Sequence, residues 1–305
     1  MTPDEEPGAP QPDQHPARLR VGLIGAGRAG TVLAAALRRA GHEVVAVAAV
    51  SETSKARAGR LLPGVPVRPA DQVVTEASLA LLTVPDDALG PLVSGLVTAG
   101  VPVEGRLLVH ASGRHGLAVL DPATRKGALP LALHPVMTFT GRADDLDKLA
   151  GISFGVTAPE PLRPAAEVLV MEMGGEPVFI AEADRDLYHA ALAGAANHLV
   201  TQVVQAEELL ARAGVGQPAR MLGPLLSAAL DNALRLGDAA LTGPVARGDA
   251  ETVAGHVAAL RAEAPEALPA YLALARLTAT RALAAGTLTA PDARRLLDVL
   301  AEVPQ

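Results

Sequence analysis

From Leu19 onward, short and nearly unbroken apolar runs alternate with stretches whose apolar residues recur at helical spacing. The runs are LRVGLI, EVVAVAAV, SLALLTV (78–84), GRLLVHAS (105–112), ALPLALHP (128–135), GISFGVTA (151–158) and EPVFIA (176–181). Strands that are apolar on both faces and separated by helices predict a parallel sheet covered on both sides. From about Ala183 the strand pattern stops. Helices are predicted over 183–213, 217–236, 249–262, 265–285 and 290–302, punctuated by Gly214, Gly237, Gly243-Pro244, Gly286 and Pro291.

The first run breaks into Gly25-Ala26-Gly27-Arg28-Ala29-Gly30 and continues as an Ala/Leu helix. Strand, glycine turn and helix start in that order bind the pyrophosphate of a dinucleotide. Gly25 allows the tight turn, Gly27 lets backbone approach the phosphates, and Gly30 lets the helix pack closely on the strand. Unpaired N–H groups and the positive dipole end of the helix from about Ala29 face the anion. The expected fold class is therefore α/β: a Rossmann dinucleotide-binding domain over 19–182, then an all-α substrate and dimerisation domain over 183–305. Residues 1–18, rich in acids and prolines, are expected to be a disordered leader.

Cofactor choice is read from the end of the second strand. The position near Ala48, where an acid would bind the ribose hydroxyls, is not acidic. Ser51, Lys55 and Arg57 follow and can hold a 2′-phosphate, which favours NADP, while Glu52 keeps NAD as the alternative. Thr83-Val84-Pro85-Asp86-Asp87 is read as the exit of the fourth strand, at the carboxyl edge where such sheets bind ligands, with Asp86 as the cap of the next helix.

Composition narrows the partners. Three Phe, two Tyr, no Trp and a net charge of −7 argue against stacking on bases and against a nucleic-acid or anionic-membrane partner. The absence of cysteine removes disulfides, thiolate metal sites and cysteine nucleophiles. No metal-ligand spacing and no run of membrane-spanning length occur, and a cytoplasmic protein is expected.

Candidate chemistry lies at strand ends and on the first long helix. His110 and Ser112 end one strand and His134-Pro135 the next, so both emerge near the expected nicotinamide position. A histidine there can pass a proton to or from a substrate oxygen, or it can be a buried ring bonded to backbone. His189 and Asn197 are eight residues apart, roughly 80° in azimuth on a regular helix, and can line one elongated cleft; His198 falls about 180° from His189. Arg247, in a glycine-punctuated loop, can clamp a carboxylate bidentately, and Asp249 reads as a helix N-cap.

GAGRAG, VPDDAL, HASG, LHPVMTF, YHAALAGAANHLV and LTGPVARGD, in that order, resemble the Rossmann-like proteins with a C-terminal helical domain of unknown function. That family sits in the superfamily of 6-phosphogluconate dehydrogenase, ketopantoate reductase and pyrroline-5-carboxylate reductase, and the resemblance covers nearly everything after Arg18. It implies a 6-phosphogluconate dehydrogenase-like helical domain, a homodimer, and an NADP-dependent oxidoreductase acting on a small keto or hydroxy acid, ketopantoate first. His134-Pro135 is similar to the His-Pro-Met element of prephenate dehydrogenases, which suggests a second enzyme class. Asn197 resembles the asparagine that orients substrate in ketopantoate reductases. Those enzymes carry a catalytic lysine one turn earlier, where this chain has Ala193. The proton must then come from His189 or His134, or the chain is a dinucleotide-binding sensor or scaffold without catalysis.

Overall fold

The computed structural model describes residues 18–301. All but the last residue of the expected leader lies outside the described residues. The chain divides into two compact units between Ala193 and Gly194.

Among the described residues the first unit is built on seven strands: β1 (Arg20–Ile24), β2 (Glu43–Ala48), β3 (Leu79–Leu82), β4 (Leu107–His110), β5 (Leu129–Pro135), β6 (Ser153–Thr157) and β7 (Glu176–Phe179). All seven apolar runs form strands, in one sheet of order β2-β1-β3-β4-β5-β6-β7. Its helices are α1 (Arg28–Arg39), α2 (Glu52–Leu61), α3 (Ala70–Glu76), α4 (Asp86–Thr98), α5 (Asp121–Thr124), α6 (Asp145–Lys148), α7 (Arg163–Glu172) and α8 (Arg185–Ala193). Alternation along the strands feeds two cores. Leu23, Leu79 and Leu81 pack with α1 and α7 on one face, while Ile24, Ala80 and Leu82 pack with α3 and α4 on the other. Burial of both faces explains why the strands read as unbroken apolar runs rather than as alternation.

Two expectations are corrected here. β1 to β5 are mutually parallel, but β6 runs antiparallel to β5 and parallel to β7, so the sheet is not wholly parallel. The Val84-Pro85 turn follows the third strand in chain order, not the fourth; Pro85 holds the N-cap position of α4 and Asp86 opens its first turn without a side-chain cap. β1 lies between β2 and β3, so the strand order reverses at β1/β3, and the carboxyl ends of these two strands form the crevice where open α/β sheets bind ligands.

The second unit is helical among the described residues: a π-helical turn at Gly194–His198, then α9 (Leu199–Arg212), α10 (Pro218–Leu236), α11 (Gly243–Arg247), α12 (Ala250–Glu263), α13 (Leu268–Ala284) and α14 (Ala290–Ala301). Its core gathers α11 to α14 around Val253, Ala279 and Leu296. α10 buries only Leu222 and α9 buries no residue fully. The single helix expected over 183–213 is instead interrupted by the π turn. No described helix is long and apolar enough to cross a membrane.

Candidate active site

The glycine turn is built around Thr83. Gly25 has φ +93°, a conformation that L side chains rarely adopt, and a Cβ there would lie 2.7 Å from the Thr83 carbonyl oxygen. Thr83 Oγ1 donates to the Gly25 carbonyl at 2.6 Å, which ties the end of β1 to the end of β3. A Cβ on Gly30 would collide with Thr83 Oγ1 and sit 2.6 Å from the Gly25 carbonyl. Gly27 differs: its φ is −70°, and a Cβ there would find only the Thr83 carbonyl, at 3.8 Å. Ala26 is buried, and α1 starts at Arg28, one residue before the predicted start. Gly25 and Gly30 are thus required by the protein's own packing. Gly27 is not, and the space its Cβ would occupy at the N-terminus of α1 fits a phosphate.

The residues after β2 separate into different roles. Ser51 caps α2, its hydroxyl accepting the Ser54 N–H at 3.2 Å. Lys55 Nζ pairs with Glu52 at 2.9 Å on an exposed face. Arg57 donates to the Ala26 carbonyl at 2.9 Å, which brings its guanidinium to the glycine turn. A Cβ on Gly141 (φ +76°) would meet Arg57 Nε at 2.8 Å and Arg28 Cγ at 3.1 Å, so the loop after β5 lies against both arginine side chains. The carboxylate of buried Asp145 fixes that loop by accepting the N–H groups of Thr140 and Gly141 at 2.7 and 2.8 Å.

The two strand-end histidines, indistinguishable by position in the sequence, have different environments. His110 is fully buried, with Nε2 donating to the Gly116 carbonyl at 2.8 Å and Nδ1 accepting the Ser112 N–H at 3.2 Å. Burial pushes its pKa down to about 4. Both ring nitrogens are used on backbone, so it is a structural histidine. Ser112 in turn accepts the His115 N–H at 3.1 Å. His134, across β5, is only partly buried, and its Nδ1 is 2.8 Å from the Tyr188 hydroxyl. Burial first, then the charge of Arg185, lowers its pKa to about 4 as well. His134 Nε2 makes no hydrogen bond among the described residues. It faces Gly113, where a Cβ would lie 2.9 Å from Nε2 and 2.7 Å from Cδ2 of His189. The His134 and His189 rings meet edge to face at 6.4 Å.

Arg185, at the start of α8, is the largest fully buried side chain among the described residues, and nothing in the sequence marks it out. Its Nε donates to Thr157 Oγ1 at 2.8 Å and one terminal nitrogen to the Gly155 carbonyl at 3.1 Å, with longer contacts to the carbonyls of Ala132, Ser112 and Gly113. These groups come from β5, β6 and the loop after β4, so one guanidinium ties the three segments together. None of its partners is a carboxylate, which leaves a positive charge beside His134 and His110. Gly155, paired with His134 in the antiparallel ladder, leaves room for the Tyr188 hydroxyl, which a Cβ at 155 would strike. A glycine inside the run GISFGVTA was the one signal in the sequence for this close approach.

Asn197 and Arg247 belong to the second unit. Asn197 is exposed in the π turn, its carbonyl accepting the Thr201 hydroxyl at 3.0 Å. Arg247 is exposed at the last residue of α11. Asp249 caps α12, accepting from the Thr252 N–H at 3.1 Å and hydroxyl at 2.7 Å. No cluster of three metal-ligating side chains occurs among the described residues.

Residues 1–135 match the model of a Rossmann-like domain, and residues 152–278 match a domain of unknown function, DUF2520. No curated protein matches. Among solved structures, a candidate NADP oxidoreductase from Bacteroides fragilis is 24% identical with a TM-score of 0.72, over 86% of this chain and 98% of that one. A Thermotoga maritima protein is 19% identical with a TM-score of 0.63, over 87% and 98%. Pyrroline carboxylate reductase from Plasmodium falciparum, with NADP bound, is 11% identical with a TM-score of 0.56, over 87% and 98%. At these identities the likeness is one of fold.

Proposed function

We propose that this chain, which joins a Rossmann-like domain to a DUF2520 domain, is an NADP-dependent oxidoreductase that moves hydride between the nicotinamide and a small keto or hydroxy acid, a ketopantoate-like keto acid being the first choice. One observation carries this reading. The carboxyl edge of a single sheet holds both a glycine turn with open space at Gly27 and, at His134, an imidazole whose Nε2 is free of hydrogen bonds among the described residues. The fold likeness to an NADP-bound reductase supports the cofactor.

When bound, the reduced cofactor supplies the hydride. Gly25 to Gly30 would hold its pyrophosphate, and Arg57, with Ser51 and Lys55, would meet a 2′-phosphate; Glu52 keeps NAD as the alternative. Val84, Pro85 and Ser112 would border the nicotinamide. On the substrate side, His134 donates a hydrogen bond to the carbonyl oxygen, with His189 beside it. In the second unit, the resemblance would give Asn197 the orienting of a substrate carbonyl, and Arg247 would offer a clamp for a carboxylate. A neutral imidazole that donates a hydrogen bond polarises a carbonyl without having to be an imidazolium.

A second copy of the chain completes the assembly in this reading. Leu225, Leu230 and Leu234 on α10 and Val200 and Val204 on α9 are exposed, which leaves these helices without the partner that their apolar residues call for.

The test is oxidation of NADPH and NADH with a panel of 2-keto acids and cyclic imines. Turnover in the wild type should fall about 10²-fold or more in His134→Ala, with cofactor affinity unchanged. Cofactor binding with no turnover across the panel would favour a sensor. Reduction of NADP+ or NAD+ by a prephenate-type hydroxy acid, with no turnover across the panel, would favour the dehydrogenase that His134-Pro135 resembles.

A further inference from the structure

We propose that Tyr188 is the positioning residue that holds His134 as its Nε2–H tautomer and restores the proton His134 gives up. The inference rests on the oxidoreductase reading for its catalytic half only. The phenolic oxygen of Tyr188 lies over the α-carbon of Gly155, where a side chain would strike it, and 2.8 Å from His134 Nδ1. The Gly155 carbonyl is taken by Arg185, so Nδ1 is the acceptor that the phenolic hydrogen has among the described residues. With Nδ1 accepting, the ring proton sits on Nε2, which points at the space left by the missing side chain of Gly113.

This arrangement answers the absence of a lysine at Ala193. The groups facing His134 are Arg185, Tyr188 and His189 on α8, His110 from β4 and Asp86 from α4. Burial and the Arg185 charge keep the ring neutral far below pH 7, so it cannot serve as an imidazolium acid there. It can act as a two-sided conductor. As hydride reaches the carbonyl carbon and charge develops on oxygen, the His134 Nε2–H bond breaks and an O–H bond forms on the substrate. At the same time the Tyr188 O–H bond breaks and a bond from that hydrogen to Nδ1 forms. The imidazole is left neutral as its other tautomer, and the phenolate, which burial disfavours, is left beside the Arg185 guanidinium, 5.7 Å from the ring centre. The Nδ1–H bond then breaks as its hydrogen returns to the Tyr188 oxygen, and water protonates Nε2, which restores the first tautomer. Net change is one hydride and one solvent proton delivered, with no residue altered.

Nitrogen-15 NMR of the histidine rings in the full chain tests this directly. Wild-type His134 should be the neutral Nε2–H tautomer at pH 7, and Tyr188→Phe, which keeps the ring, should convert it to a tautomer mixture while NADPH affinity stays within about twofold. Turnover should fall about 10²-fold in kcat with KM unchanged. A wild-type ring protonated on Nδ1, or a tautomer unmoved by Tyr188→Phe, would overturn the proposal. If Tyr188→Phe fails to fold, 3-fluorotyrosine in a Tyr271→Phe background labels Tyr188 alone, since the chain has two tyrosines. The stronger acid should shift the His134 Nδ1 resonance, and an unshifted resonance would overturn the proposal. A tautomer switch in a wild type that turns over no substrate would overturn the oxidoreductase reading while supporting the tautomer assignment.

Discussion

Lowering the pH should unfold the first unit through two histidines, His110 and His134, and replacing one of them should halve the effect. Both titrate near 4 in the folded chain, against about 6.5 when unfolded. Between those values the unfolded chain binds one more proton per histidine, so stability falls as pH drops from 6.5 and the loss is complete below 4. Each histidine costs about 1.4 kcal/mol per pH unit in that window, or about 3 kcal/mol in all, and the pair gives a slope of about 2.7 kcal/mol per unit. The cause is structural. His110 is fully buried with both nitrogens committed to backbone, and Arg185 places an uncompensated charge beside both rings. In His110→Gln, which can still donate to the Gly116 carbonyl, the slope contributed by the pair should drop to about 1.4 kcal/mol per unit. Urea unfolding between pH 4.5 and 6, followed by methyl resonances of the sheet core, reads residues 18–193 separately from the second unit. Equal slopes in variant and wild type would refute the argument, because carboxylates and other histidines contribute equally to both.

The glycine turn should respond unequally to substitution. Gly27→Val should abolish dinucleotide binding by calorimetry with little change in stability, because its Cβ meets nothing nearer than 3.8 Å, whereas Gly30→Ala should destabilise by about 1–3 kcal/mol through its clash with Thr83. Arg57→Gln should weaken NADP binding at least tenfold more than NAD binding, and an equal loss for both would remove Arg57 from the 2′-phosphate site. Leu230→Glu on α10 should yield a monomer by sedimentation if α9 and α10 meet a second copy. A wild type that sediments as a monomer at all concentrations would end that proposal.

The fold was legible where one physical rule sufficed. Apolar runs of strand length bounded by turn residues mark β1 to β7, and the glycine spacing marks the turn after β1, because each signal is local. Strand direction is not local. Nothing in GISFGVTA states that it pairs antiparallel with ALPLALHP, since both are buried on two faces and neither face betrays polarity. The same limit separates the histidines. His110 and His134 each end an apolar run; the ring partners of His110, Ser112 and Gly116, lie two and six residues on, the partner of His134, Tyr188, lies 54 residues on, and nothing in the two runs distinguishes a committed ring from an available one.

Arg185 reads in sequence as one more charge in a polar stretch, AEADRD, and the expectation for such a run is a solvated face. In the structure the charge is buried against the carbonyl oxygens of Ala132 in β5, Gly155 in β6 and Ser112 in the loop after β4, and a planar guanidinium can donate to several at once. The spacing argument for His189 and Asn197 meets a different limit. It assumed a regular advance of about 100° per residue. Gly194–His198 is instead a π turn, whose i→i+5 bonding adds a residue to the turn and changes the azimuth of every position after it. Such turns replace regular helix at a cost and recur at functional sites, and this one carries Asn197 and follows directly on Tyr188, His189 and Ala193. The irregularity that defeats the helical-wheel argument therefore lies in the segment where the missing lysine and the substrate-orienting asparagine were expected. It makes the backbone at Gly194–His198, as much as the side chains, the feature on which the orientation of Asn197 depends.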